Sequence, residues 1–191
     1  MPNYRRNFVP GGAYFFTLNL RNRRSRLLTD RLPDLRDAFN RVKRARPFRL
    51  DALVILPDHL HAVWTLPEGD ADYPGRWRAI KTLFAKAAGG AGIWQRGYWE
   101  HTLCSPEDYA AHIDYVHINP LKHGWVNAVV EWPWSTFHRY VAAGCIPGIG
   151  PAGWKGVWRG RGSAPELRGF GWPWPWPMTL RSSALRWDPG R

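Results

Sequence analysis

Cysteine is nearly absent: Cys104 and Cys145 are the only two in 191 residues. They match no zinc spacing and no disulfide framework, so both read as free thiols of a reducing compartment. No apolar run is long enough for a membrane span, which leaves no membrane role to expect. The opening Met1-Pro2-Asn3-Tyr4-Arg5-Arg6 leads into no apolar stretch, so no signal peptide is expected either. Acidic residues are also scarce, with 15 Asp and Glu against 27 Lys and Arg. The net charge of +12 and the pI near 10.4 favour a polyanionic partner. These features together predict a cytoplasmic, nucleoid-associated protein. Internal repeats are lacking, and the length suits one domain with a real core.

The charge is unevenly spread. Residues 1–50 carry 13 Lys and Arg against 3 Asp and Glu, residues 51–150 carry 7 against 10, and residues 151–191 carry 7 against 2. A single charge run is usually a solvated face. Here the basic arm is interleaved with Tyr4, Phe8, Tyr14, Phe15 and Phe16, and that mixture suits nucleic acid: charge meets phosphate and rings stack on unpaired bases.

Periodicity predicts an alternation of strands and helices. Ala13–Leu20 reads as a first strand behind the Gly11-Gly12 turn, and the polar connection Arg21–Arg26 carries four arginines. A helix is expected from Asp30 to about Arg44, with Leu32, Leu35, Phe39 and Val42 at helical spacing. Two strands follow, Phe48–Leu56 and His59–Leu66, broken at Pro57-Asp58 and so expected to be antiparallel neighbours. A second helix, about Pro74 to Ala88, turns Trp77, Ile80, Phe84 and Ala87 inward and ends at the glycine-rich 89–92. Ile93–Leu103 reads as a short strand or an ordered loop. The third helix begins after Ser105, a good N-cap, with Pro106 and Asp108 in its first turn, and should end near Asn119 because Pro120 follows. After Gly144, glycine, proline and tryptophan dominate. The expected organisation is therefore a domain over 1–144 and an extended Gly/Pro/Trp-rich basic tail over 145–191.

The chemistry gathers in two segments. His59 and His61 stand at i and i+2 of a strand and so point the same way. Tyr115 and Asn119 stand one helical turn apart, and at 100° per residue they share a stripe with His112, beside the core stripe of Tyr109, Ile113 and Val116. Taken singly, each has a plain reading: His-x-His is a weak signal on a strand, and most tyrosines are half-buried with a satisfied hydroxyl. Their coincidence is informative. Two imidazoles and an amide would hold a divalent cation, Mg²⁺ or Mn²⁺, without neutralising it, and a phenol with an ordinary pKa of about 10 needs such help to act as a nucleophile. A cupin-type site would need a nearby glutamate, but the next acid is Glu68 beyond Pro67; the His-Glu-x-x-His of a zinc protease is missing. Trp99-Glu100-His101 offers either a supporting carboxylate or histidine, or a buried capping network. His117 and His123 flank the site, and Lys122 with His123 reads as a phosphate contact or as plain surface. Lys81 and Lys86 lie on the outer face of the second helix, solvated or against DNA.

These segments resemble the REP-associated tyrosine transposases, bacterial single-tyrosine enzymes of the HUH (His-hydrophobic-His) superfamily. The resemblance rests on Tyr4-Arg5-Arg6, Gly11–Leu20, Leu56–His61, Trp94-Gln95, Trp99-Glu100-His101, Tyr115–Gly124 and Trp132–Ser135, and so spans about residues 4–144. It implies an α+β fold, an antiparallel sheet with helices packed on one face, of the RRM/ferredoxin-like kind. It implies a metal held by His59, His61 and Asn119, and Tyr115 as nucleophile, leaving a 5′-phosphotyrosine and a free 3′-hydroxyl. The implied substrate is single-stranded DNA with a hairpin of the repetitive extragenic palindromic type, handled by a monomer. Candidate DNA contacts are Arg5, Arg6, Arg21, Lys81, Lys122 and His123. Two other functions fit the same residues: a hairpin-binding protein that does not cut, and a relaxase or replication-initiator nickase. The second lacks a partner tyrosine on the helix face and a helicase domain. The tail after Gly144 matches no pattern of the family.

Overall fold

Every residue of the strand after Gly12 is useful, because both of its faces are buried. In the computed structural model, which describes residues 6–143, this strand is β1, Ala13–Asn19. Tyr14, Phe16 and Leu18 point to one side and Ala13 and Phe15 to the other, each into its own apolar cluster. Four antiparallel strands form the sheet: β2 (Arg49–Ile55), β3 (His59–Thr65) and β4 (Trp99–Thr102) join β1 in the order β2-β3-β1-β4. The two-residue break at Pro57-Asp58 does join antiparallel neighbours, β2 and β3. The stretch before Leu103, open between strand and loop, supplies β4, which pairs along β1 from Thr17↔Trp99 to Tyr14↔Thr102.

The α+β class and the antiparallel sheet are as expected, but the helices cover both faces of the sheet, not one. Against one face pack α2 (Leu32–Ala45) and α3 (Tyr73–Ala87), through Leu35, Phe39, Val42, Trp77, Ile80 and Phe84. The helix expected from Asp30 to about Arg44 is α2, and a short α1 (Leu27–Asp30), not expected from the sequence, precedes it. Against the other face packs α4 (Pro106–Lys122), through Tyr109, Ile113 and Val116, joined by Trp132. A 3-10 turn at Val129–Glu131 and α5 (Phe137–Ala142) complete this layer. Burying both faces explains why β3 is buried along its whole length. Ala87, expected inside, is exposed as the last residue of α3.

The start of α4 follows the sequence closely: Ser105 Oγ accepts the N–H of Asp108 at 3.1 Å. Its end does not. The helix runs through Pro120 to Lys122, because a proline in the last turn forfeits only its own N–H and the carbonyls beyond it find other donors. The N–H of Gly124 reaches Leu121 O at 3.0 Å and that of Trp125 reaches Pro120 O at 2.9 Å, with Gly124 at φ +70°, where a glycine is needed. Asn119 is thereby kept within regular helix. Arg5, Cys145 and the expected tail lie outside the described residues. Among the described residues no helix is long and apolar enough to cross a membrane.

Candidate active site

The alternation of β3 sends His59, His61, Val63 and Thr65 to the α4 side of the sheet and Leu60, Ala62 and Trp64 to the other. The two imidazole centroids are 5.1 Å apart. The stripe of α4 beside its core contacts brings Tyr115 to meet them, its ring centroid 5.3 Å from that of His61 and near-perpendicular to it at 77°. Phe15 of β1 fills the space beneath, 5.5 Å from the His61 ring and 5.7 Å from that of Tyr115. The four residues singled out in the sequence, His59, His61, Tyr115 and Asn119, thus converge between sheet and helix.

Each imidazole is oriented through its Nδ1. His61 Nδ1 lies 2.8 Å from Thr17 Oγ1, its register partner on β1, and His59 Nδ1 lies 2.8 Å from Asp58 Oδ1, which Arg23 Nε meets from its other oxygen at 3.0 Å. With the proton on Nδ1, each ring keeps its Nε2 lone pair free, the arrangement usual for metal-binding histidines. Both are shifted toward the neutral form, His61 the further of the two. Burial lowers the His61 imidazole to about 3, helped by the cations Lys122 and Arg23 and by the nearby rings of His59 and His123 when these take up protons. Burial also lowers His59, against the opposing pull of Asp58.

Asn119 is wholly buried and presses against His59, yet neither its amide oxygen nor its nitrogen makes a regular hydrogen bond to the described residues. The only hydrogen-bonding contact of this amide among the described residues is the irregular one with His59; an amide buried without regular bonds costs on the order of 1–3 kcal/mol, and a bound cation would reduce that cost at the oxygen. Two imidazoles anchored through Nδ1 and a buried amide that makes no regular hydrogen bond therefore fit a divalent cation chemically.

The surroundings sort the remaining candidates. Lys122 Nζ stands 4.8 Å from the Tyr115 ring centroid, and the exposed His123 ring lies 5.1 Å from that of His59, so both border the site. His117 does not. It points into the α5 side, with Nε2 3.0 Å from Thr136 Oγ1 and its ring against Phe137 and Tyr140. Glu100 and His101 part company because neighbouring strand residues face opposite ways: Glu100 is buried on the α3 side, where it accepts the Tyr73 hydroxyl at 2.7 Å and meets Arg6 at 3.4 Å. His101 faces α4 and meets Asp108, not the paired histidines.

Of the more distant cations, Arg21 is exposed beyond β1, and Arg6 and Lys81 line a cavity of about 310 Å³ together with Arg78, Arg96 and Tyr98. Lys81 is half-buried there, its Nζ donating to Gln95 O, so it is not a freely solvated side chain. The basic arm is also less open than its count implies, since Arg23, Arg31, Arg41, Arg46 and Arg49 each pair with an aspartate. Thr17 is not visible as a site residue in the sequence, because only strand register sets it beside His61. Asp58 does carry a signal, its place directly before His59.

No protein-family model matches the chain. Two relatives do. A REP-associated tyrosine transposase of Escherichia coli strain K12 is 55% identical over 147 residues, 77% of this chain and 89% of the relative. A Haemophilus influenzae protein assigned to the same group is 41% identical over 161 residues, 77% of this chain and 92% of that protein. A solved REP-associated tyrosine transposase bound to a REP hairpin superposes with a TM-score of 0.75 at 55% identity, covering 77% of this chain and 89% of that one. Identity of this level over nearly the full length of these relatives, on a shared fold, means that the chain belongs to the REP-associated tyrosine transposases, a family of enzymes.

Proposed function

We propose that this chain cuts and rejoins single-stranded DNA at the foot of a hairpin of the repetitive extragenic palindromic type, with Tyr115 as nucleophile. The observation that carries the reading is the meeting of the Tyr115 ring with His61, beside the buried amide of Asn119, which makes no regular hydrogen bond. His59, His61 and Asn119 would hold Mg²⁺ or Mn²⁺, and the cation would supply polarisation of a non-bridging phosphate oxygen.

The chain's own groups account for the rest. Thr17 and Asp58 hold the two imidazoles in orientation through Nδ1. Phe15 and the helix backbone fix the Tyr115 ring in the groove between sheet and α4. Attack of the Tyr115 hydroxyl oxygen on phosphorus forms the O–P bond as the phenolic proton leaves. The bond from phosphorus to the 3′-oxygen breaks, and that oxygen takes up a proton to become a free 3′-hydroxyl. The 5′-phosphotyrosine keeps the bond energy, so a 3′-hydroxyl of another strand can reverse the reaction and join.

Lys122 and His123 border the groove and meet the phosphates next to the cut. Arg6 and Lys81, with Arg78 and Arg96, offer a second phosphate-binding region around Tyr98, Arg21 extends the basic surface, and Arg5, outside the described residues, adds a further positive charge to the sequence. The protein works as a monomer in the cytoplasm, at the nucleoid. The domain that does this spans residues 1–144.

A denaturing gel tests the reading. Labelled single-stranded hairpin DNA is incubated with the protein and Mg²⁺ or Mn²⁺, beside Tyr115→Phe. A metal-dependent protein–DNA adduct that the variant loses is the expected result. Cutting at the normal rate by Tyr115→Phe would refute the mechanism. Tight hairpin binding with neither adduct nor cut would leave a hairpin-binding protein that does not cleave.

A further inference from the structure

We infer that His101, Asp108 and His112 form a second metal site, separate from the paired histidines and suited to Zn²⁺ or a similar borderline transition cation. His101 comes from β4, and Asp108 and His112 from the first two turns of α4. One donor atom from each lies within 4.8 Å of the others. His101 Nε2 is 3.0 Å from Asp108 Oδ2, and His112 Nδ1 is 3.0 Å from Asp108 Oδ1. Ligands about 2.1 Å from a metal stand about 3.0–3.4 Å apart along the edges of an octahedron or tetrahedron, so these spacings need little adjustment.

His112 Nδ1 donates its proton to the backbone oxygen of Asp108 at 2.8 Å, so a cation would take that proton's place, and Asp108 Oδ2 also accepts the Cys104 N–H at 3.2 Å. The two imidazole rings stack at 5.0 Å and 26°, so both edges converge on the one carboxylate, and Trp99 stacks on the outer face of His101. All three residues are half-buried, open enough for a cation to enter.

The donor chemistry sets this cluster apart from the other. His59, His61 and Asn119 are all neutral, whereas Asp108 adds a negative charge to two imidazoles. Two nitrogens and a carboxylate suit Zn²⁺, and the negative charge of Asp108 holds such a cation more strongly than an all-neutral set does. A cation here would tie β4 to the start of α4, one turn before Tyr115 on the same helix stripe. Its role is to hold the helix that carries the tyrosine against the sheet.

Zn²⁺ binding to the full chain tests this in excess Mg²⁺, by competition with a chromophoric chelator, with Co²⁺ absorption and thermal melting as further readouts. Expected is one Zn²⁺ equivalent that the double variant His59→Ala/His61→Ala retains. It should weaken at least tenfold in His101→Ala and in Asp108→Asn, and Zn²⁺ should raise the melting temperature of wild type but of neither variant. His101→Ala removes a partly exposed ring and Asp108→Asn preserves side-chain volume, so both should fold, as circular dichroism would verify. Failure to bind Zn²⁺ would overturn the inference, leaving Asp108 a hydrogen-bonded bridge between two imidazoles. Binding unchanged in His101→Ala and Asp108→Asn would overturn it too, as would binding lost only with His59 and His61. None of these results depends on DNA cleavage, so the inference and the proposed function stand or fall separately.

Discussion

Thr17 Oγ1 and His61 Nδ1 lie 2.8 Å apart, directly across the β1–β3 ladder. The pair turns strand register into imidazole orientation. Thr17→Val keeps the shape and β-branching of the side chain but removes the oxygen, so the ring loses its anchor while the sheet survives. Metal affinity should drop about 10–100-fold, the usual cost of losing such an outer partner. Titration with Mn²⁺, set beside an unchanged far-ultraviolet spectrum, checks it. Full affinity in Thr17→Val would mean that packing alone holds His61.

Local rules carry far in this chain, and where they stop the cause is an interaction between distant segments. Two-residue periodicity is enough to put His59 and His61 on one face, and 100° steps are enough to put Tyr115 and Asn119 on one stripe. The same alternation in Ala13–Leu20, apolar on both sides, is a sign that both sheet faces are covered, although the family resemblance implies helices on one. Pro120 misleads because its effect on the preceding residue says nothing of the capping by Gly124 and Trp125. His117 and His101 cannot be assigned without knowing what packs beside them. His117 faces Thr136, nineteen positions along the chain, and His101 faces an aspartate whose place in the sequence suggests only a helix cap.

Asn119 separates stability from function. Its amide is buried with no regular hydrogen bond, so Asn119→Leu, similar in volume, removes an unsatisfied polar group. The metal-free variant should be as stable as wild type or more so, by about 1 kcal/mol. It should also lose the stabilisation that Mn²⁺ gives to wild type, along with DNA cleavage. Chemical denaturation with and without Mn²⁺ measures both effects. A variant destabilised without metal would show that the amide has a structural partner after all.

His117 makes stability depend on acid. Burial, aided by Arg139 and His138, lowers its pKa to about 3, against 6.5 for an imidazole in water. The unfolded chain therefore takes up a proton first as pH falls. The contribution of neutral His117 is fully present above pH 6.5 and is lost progressively from there down to about 3. Replacing it with Gln, which can still bond Thr136, should make the slope of unfolding free energy between pH 6 and 4 shallower by about 1.4 kcal/mol per pH unit. Urea melts across that range decide the matter, and an unaltered slope would place the acid sensitivity elsewhere, with His61 the next candidate.

Lys122 should reveal how charge at the groove is used. Its ammonium lies over the Tyr115 ring and its side chain is exposed, so its removal threatens no core packing. If it neutralises a phosphate, Lys122→Ala in a Tyr115→Phe background should weaken hairpin binding across sequences alike. It should also reduce the slope of log affinity against log salt by about 1, as expected when one phosphate is no longer neutralised. Measuring affinity in the uncut background removes the effect of turnover, so any change belongs to binding. If Lys122 instead serves only to position the phenol, the salt slope will stay the same and the loss will appear in the cleavage rate of the single variant. The two outcomes assign the lysine to the DNA or to the tyrosine, and the ring–ammonium distance of 4.8 Å is short enough for either.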